Sequence, residues 1–322
     1  MVRAEGVAVV CAALVLLSIA PCCAWRFSRR AALLVLLLQG GGAWWWIRRR
    51  MVDWILLRVG WTRAPHLVST ASEVFGVTGL GARYCLRAIA PGRCRACYSD
   101  CDCPRLLVVY LHGTASTIAS APAVFRRMLV GAPPALRDSC RVVCLAPEYP
   151  GYCDRSHGII EPTVFDTVES VVNTIEHVSG KFPGHDLVLV GESLGAAVAL
   201  SICARLSLGY SIARVVLVSP LTSARSLAAD FVGSFLARCV PAHVLNGLDE
   251  IPHIRASTGT RFHVVCGSHD RLIHPRHSRA IRDELGRCGF KVDAQIVRNG
   301  THATTCPDAL GHVICEDMEC TC

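Results

Sequence analysis

The chain predicts an α/β fold with a mostly parallel central sheet and helices on both faces. Three observations predict it. Short apolar, β-branched runs recur at 106–111, 142–146, 186–190, 214–218, 262–266 and 291–297. Helical patterning fills the intervals near 118–130, 163–179, 194–206, 223–239 and 276–288. Each interval is long enough for the crossover that two parallel strands require.

The N-terminus is a different kind of sequence. Val7–Trp25 is apolar apart from Ser18, and Ala31–Ile47 apart from Gln39. Each run is close to the lower limit for spanning hydrocarbon, about 17–20 residues. Arg26-Phe27-Ser28-Arg29-Arg30 separates them, and Trp44-Trp45-Trp46 meets Arg48-Arg49-Arg50 as an interfacial anchor would. A cleaved signal peptide fits less well, because Arg3 is offset by Glu5 and Cys22-Cys23-Ala24 is a poor cleavage site. Residues 1–65 are therefore expected to be a membrane anchor with a basic juxtamembrane segment.

Charge follows the same division. Residues 1–65 hold nine arginines and two acids, whereas the remainder has 24 Lys and Arg against 23 Asp and Glu. The basic excess suits anionic membrane lipids. Nucleic acid is not expected as a partner, since the globular part has no basic face. Arg58 and Arg63 extend the second cluster and tilt the expected catalytic domain toward the cytosol. The sequon Asn299-Gly300-Thr301 favours the same side, because a glycan there would crowd the neighbouring His302.

Residues 66–322 suit one domain. Its start, 66–104, is expected to hold the first strands and a hairpin. Cys94, Cys97, Cys101 and Cys103 lie there among the chain's 19 cysteines. Cys94-x-x-Cys97 has a usual zinc half-site spacing, but Cys101-x-Cys103 is tighter than typical and no second x-x pair follows, so zinc is an alternative to the favoured metal-free reading. Disulfides in a lumen and loose thiols remain open. The stretch 220–260 is expected to form a short cap, with Leu227, Phe231, Phe235, Leu236 and Val240 at helical spacing as packing residues.

The chemistry centres on Gly191-Glu192-Ser193-Leu194-Gly195, placed between a buried strand and a helix. Such a turn forces the serine into a strained conformation that a Cβ on Gly191 or Gly195 would obstruct, and it presents the hydroxyl above the sheet. Downstream, Gly267-Ser268-His269-Asp270 ends one strand, and His302 follows the strand 291–297. Parallel strands share a C-terminal edge, so Ser193, Asp270 and His302 are expected to meet as nucleophile, orienting acid and base. His112-Gly113-Thr114 closes the strand 106–111. Thr114 and Leu194 are expected to supply the oxyanion N–H groups, with His112 orienting the loop.

Taken together, His112-Gly113, Glu148-Tyr149-Pro150-Gly151-Tyr152, Gly191–Gly195, Ser219-Pro220-Leu221, Gly267…Asp270 and His302 resemble the α/β-hydrolase domain-containing serine hydrolases. That group includes protein depalmitoylases and shades into prolyl-oligopeptidase-like peptidases. The resemblance covers about 105–305. It departs at Thr114, where asparagine is usual, at Cys153, where a glycine often stands, and at Asn299-Gly300-Thr301, in place of Gly-x-Gly. It implies an α/β-hydrolase fold and a cofactor-independent hydrolase acting on acylated lipids or proteins at a membrane surface. A peptidase and an inactive membrane scaffold are the alternatives.

Overall fold

The computed structural model describes residues 73–80, 82–88, 105–114, 116–132, 141–150, 152, 164–206, 211–238, 240, 242, 245–254, 259–305 and 310–315. The two apolar N-terminal runs, the four-cysteine cluster and Cys153 lie outside them. Among the described residues no helix is long and apolar enough to cross a membrane. No group of three metal-ligating side chains is found there either.

Eight strands form one sheet: β1 (Glu73–Val77), β2 (Arg83–Arg87), β3 (Leu106–Leu111), β4 (Val142–Pro147), β5 (Asp186–Glu192), β6 (Ile212–Val218), β7 (Arg261–Gly267) and β8 (Lys291–Val297). Their order is β1-β2-β4-β3-β5-β6-β7-β8. The hairpin β1–β2 is antiparallel and joins β4 antiparallel, while β4, β3, β5, β6, β7 and β8 run parallel. The helices are α1 (Ala121–Met128), α2 (Val164–Ser179), α3 (Leu194–Leu206), α4 (Ala224–Ala237), α5 (Gly247–Glu250), α6 (Pro275–Arg287) and α7 (Gly311–Ile314).

The strands read as unbroken apolar runs because both faces are covered. In β3, Leu107, Val109 and Leu111 pack into a core with α2, α3 and α6. Leu106, Val108 and Tyr110 point the other way, into a core with α1 and α7. Successive side chains alternate between faces, so one strand serves two cores. Outer strand β8 has one open edge, and its residues are mostly exposed.

The cap departs from expectation. Leu227 packs against the core and Val240 is buried, but Phe231 is 43% and Phe235 76% exposed. Gly233, at φ +80° and ψ +157°, breaks α4 between them. A helical face cannot continue through that backbone, so the spacing that implied packing no longer applies.

Candidate active site

Strand register alone brings the parts of the site together. Leu111 pairs with Gly191 at the ends of β3 and β5. The loop after β3 therefore leaves the sheet beside the turn after β5. A Cβ on Gly113 would lie 3.5 Å from the Ser193 Cβ.

Ser193 follows β5 directly and has φ +56°, a left-handed conformation costing about 1–3 kcal/mol in a non-glycine residue. Its N–H donates to the Val218 carbonyl at the end of β6, 2.9 Å away. The flanking glycines are required by close approach. A Cβ on Gly191 would overlap the Gly195 carbonyl, and one on Gly195 would strike the Leu111 and His112 carbonyls. Leu194 opens α3, so its N–H has no partner within the helix.

Asp270 and His302 come from the turns after β7 and β8. Gly267 lets those turns touch, since a Cβ there would overlap the Gly300 carbonyl and the Thr305 hydroxyl. The His269 N–H donates to Gly300 O at 2.8 Å. Across this contact His302 Nδ1 bonds to Asp270 Oδ2 at 2.9 Å, while Asp270 Oδ1 accepts from the Leu272 and Ile273 N–H groups at 3.0 and 2.8 Å. Burial works to raise the Asp270 pKa, but His302, the Ile273 N–H and the nearby Ser219 hydroxyl outweigh it and hold the carboxyl below its ordinary value. An ionised carboxylate only accepts, so Nδ1 of His302 carries the proton and Nε2 is left as an acceptor. The His302 side chain is 22% exposed. Among the described residues Ser193 and His302 share no hydrogen bond.

The loop after β3 is tied by a residue that sequence reading noted only as part of a motif. Glu148, buried after β4, accepts from His112 Nε2 at 2.9 Å, from the Ile118 N–H at 3.1 Å and from the Tyr149 N–H at 3.3 Å. His112 and Ile118 bracket Thr114, so one carboxylate closes the loop at both ends. His112 Nδ1 faces Gly113 O at 2.9 Å, its ring stacks on Tyr149, and the Tyr149 hydroxyl donates to the His112 carbonyl at 2.9 Å. Burial raises the Tyr152 pKa above the ordinary tyrosine value, while a bond to the Thr114 side chain opposes it. Glu192 is held from below by the Tyr110 hydroxyl at 2.6 Å. Two flanking histidines, His269 and His274, take local roles: His269 bonds to Ser268 and His274 caps α6.

The profile of the alpha/beta hydrolase family matches residues 108–257, a segment that holds His112–Thr114 and Ser193 and ends before Asp270. No curated protein sequence is significantly similar to the chain. Among solved structures, the acylaminoacyl peptidase of Pyrococcus horikoshii is similar at TM-score 0.51 and 12% identity, over 75% of this chain and 39% of that one. A puromycin-hydrolyzing peptidase of Mycobacterium tuberculosis matches at 0.51 and 12%, over 78% and 39%. A carboxylesterase of Lactobacillus plantarum matches at 0.50 and 12%, over 73% and 85%. The chain thus spans 39% of the length of either peptidase. At these identities the likeness establishes the fold: an α/β-hydrolase fold, with its central segment matching the alpha/beta hydrolase family.

Proposed function

We propose that this protein is a membrane-anchored serine hydrolase that cleaves ester or thioester bonds of acylated lipids or proteins through an acyl-enzyme. The observation that carries the reading is the Asp270–His302 bond, which fixes the proton on Nδ1 and leaves Nε2 to act as a base on the edge where Ser193 is presented.

In the first half-reaction Ser193 Oγ attacks the acyl carbon and its proton passes to His302 Nε2. The carbonyl oxygen becomes an oxyanion against the Thr114 and Leu194 N–H groups. The C–O or C–S bond then breaks, and the same proton leaves on the alcohol or thiol. Water repeats the sequence on the acyl-enzyme, giving the carboxylic acid and free Ser193. Asp270 stays ionised throughout and stabilises the imidazolium. No metal or cofactor enters these steps. The serine–histidine contact they need is one that catalytic sites commonly tighten only with substrate bound. The preference for acyl substrates at a bilayer rests on the apolar N-terminal runs and on the resemblance of the motifs, with the domain on the cytosolic side.

Labelling with a fluorophosphonate tests the reading. The wild type should be labelled and Ser193→Ala should not. A folded wild type that stays unlabelled overturns it in favour of a scaffold. On a panel of S-acyl thioesters, p-nitrophenyl esters and short peptides, cleavage of peptides alone would overturn the acyl-ester preference.

A further inference from the structure

Eight large apolar side chains are exposed among the described residues: Val74, Val77, Leu80, Val130, Phe231, Phe235, Leu272 and Ile296. Their distribution is uneven. Five lie along the edge where the strands end and the site is built, and they flank it on both sides. Val77 and Leu80 sit at the tip of the β1–β2 hairpin. That tip lies beside the C-terminal end of β4, since Tyr84 pairs with Pro147 and the Glu148 N–H donates to Arg83 O. Leu272 is in the Asp270 turn. Phe231 and Phe235 are on α4, whose Asp230 bonds Arg276 and His277 at the start of α6, just beyond that turn. The most exposed, Leu80 at 79% and Phe235 at 76%, stand on opposite flanks. Val130, by contrast, lies past the far end of α1.

We infer that this edge docks on a lipid bilayer, with Leu80 on one flank and Phe231, Phe235 and Leu272 on the other entering the interface, so that the site draws acyl chains directly from the membrane. The inference rests on the hydrolase reading above and adds an orientation and a substrate route to it. The chain preceding the fold selects the occupant. Only 25 residues separate Ile47, the end of the second apolar run, from Glu73 at the start of β1. Fully extended they reach about 80 Å, so a domain anchored by those runs stays beside the bilayer. In sequence this segment directly precedes the hairpin that carries Leu80. Its Arg48, Arg49, Arg50, Arg58 and Arg63 suit anionic headgroups, as does Arg271, exposed next to Leu272. Tethering raises the local concentration of the face at the surface, so a few shallow side chains suffice to orient it.

The test uses the full chain in phosphatidylcholine–phosphatidylserine vesicles, with a long-chain acyl thioester embedded in them and p-nitrophenyl acetate in the water. Leu80→Glu combined with Phe235→Glu should lower kcat/KM on the embedded substrate about ten-fold or more, the effect of losing one or two apolar insertions. Turnover of the soluble ester should hold, and Val130→Glu should change neither. Photocrosslinking from p-benzoylphenylalanine at 80 or 235 should give lipid adducts, and at 130 none. Equal losses on both substrates, no loss on either, or crosslinks joining two copies would overturn the docking. If the double variant does not fold, the crosslinks alone decide it. A wild type that turns over neither substrate sinks the hydrolase reading instead, and lipid adducts at 80 and 235 would still report the docked face.

Discussion

Replacing Glu148 separates two functions of one side chain, its shape and its capacity to accept. Glu148→Ala strips acceptors from the Ile118 and Tyr149 N–H groups, both buried, and from His112 Nε2, whose proton can instead move to Nδ1 facing the Gly113 carbonyl. Each buried donor left unsatisfied costs about 1–3 kcal/mol, so the two together cost roughly 2–6 kcal/mol. That is a large part of the 5–15 kcal/mol, roughly, that stabilises an ordinary domain. Glu148→Gln behaves differently. Its oxygen can stay on the Ile118 N–H while its NH₂ donates to His112 Nε2. The ring accommodates this by moving its proton from Nε2 to Nδ1, which faces the Gly113 carbonyl and can donate to it. What is lost is charge assistance, about 1 kcal/mol, and the longer 3.3 Å bond from the adjacent Tyr149 N–H, which does not tie the loop.

The catalytic consequence follows from which segment moves. With both ends of the loop released, the Thr114 N–H proposed as an oxyanion donor no longer has a fixed position. Loss of one oxyanion donor lowers kcat by about 100-fold or more. Glu148→Ala should therefore label with fluorophosphonate about 100-fold more slowly and melt well below the wild type. Glu148→Gln should stay within about five-fold in rate, with KM unchanged, since 1 kcal/mol is about a factor of five. Parallel measurement of labelling rate, KM and Tm checks all three. A Glu148→Ala protein that melts and labels like the wild type would refute the claim that this carboxylate holds the loop. A Gln variant as slow as the Ala variant would show that the negative charge, and not the pattern of acceptors, is what matters.

Two further outcomes follow. Asp270→Asn keeps an oxygen for the Leu272 and Ile273 N–H groups but presents NH₂ to His302, driving the imidazole proton onto Nε2. Esterase kcat should fall about 10⁴-fold with little change in Tm, and a loss under ten-fold would refute the assigned tautomer. His277 is buried, donating to Asp230 Oδ2 at 2.8 Å and accepting from Thr222, and burial, with Arg276 and His274, against the opposing pull of Asp270, pushes its pKa down to about 4 from 6.5. The unfolded chain then binds a proton between those values that the folded one does not, so stability is present above pH 6.5 and is lost by about 3 kcal/mol as pH falls toward 4. Denaturation midpoints across that range should flatten in His277→Gln, and an unchanged slope would refute the assignment.

How much of this was legible in the sequence varies with the range of the interaction. The β3 and β5 strands could be read because both their faces are buried, which writes a continuous apolar run into the chain. Ser193 could be read because the elbow needs glycine on both sides within five residues. The partners of Glu148 lie 36 and 30 residues away in sequence and meet it only through the pairing of β3 with β4, so no local pattern announces them. The contact between Asp230 and His277 spans 47 residues and was invisible for the same reason. The break in α4 did carry a local signal, the lone Gly233. A period of hydrophobic positions counted through that glycine gave Phe231 and Phe235 a packing role that the backbone denies them.

Strain is also distributed by this architecture. Four non-glycine residues have positive φ among those described, and three of them, Ser193, Ser219 and Asn299, stand just beyond the ends of β5, β6 and β8. At about 1–3 kcal/mol each, such conformations persist only where their surroundings over-determine them. Here the restraint runs sideways. The Ser193 N–H donates to Val218 O, the Ser219 N–H to Val265 O, and the Asn299 N–H to the Ser268 hydroxyl. Each strained residue is thus fastened to the end of a neighbouring strand rather than to its own turn. The rim behaves as one laced unit, in which the conformation of Ser193 depends on β6 and that of Ser219, beside Asp270, depends on β7. The acyl-transfer site proposed from three distant side chains needs this lateral coupling, because no single turn holds more than one of them.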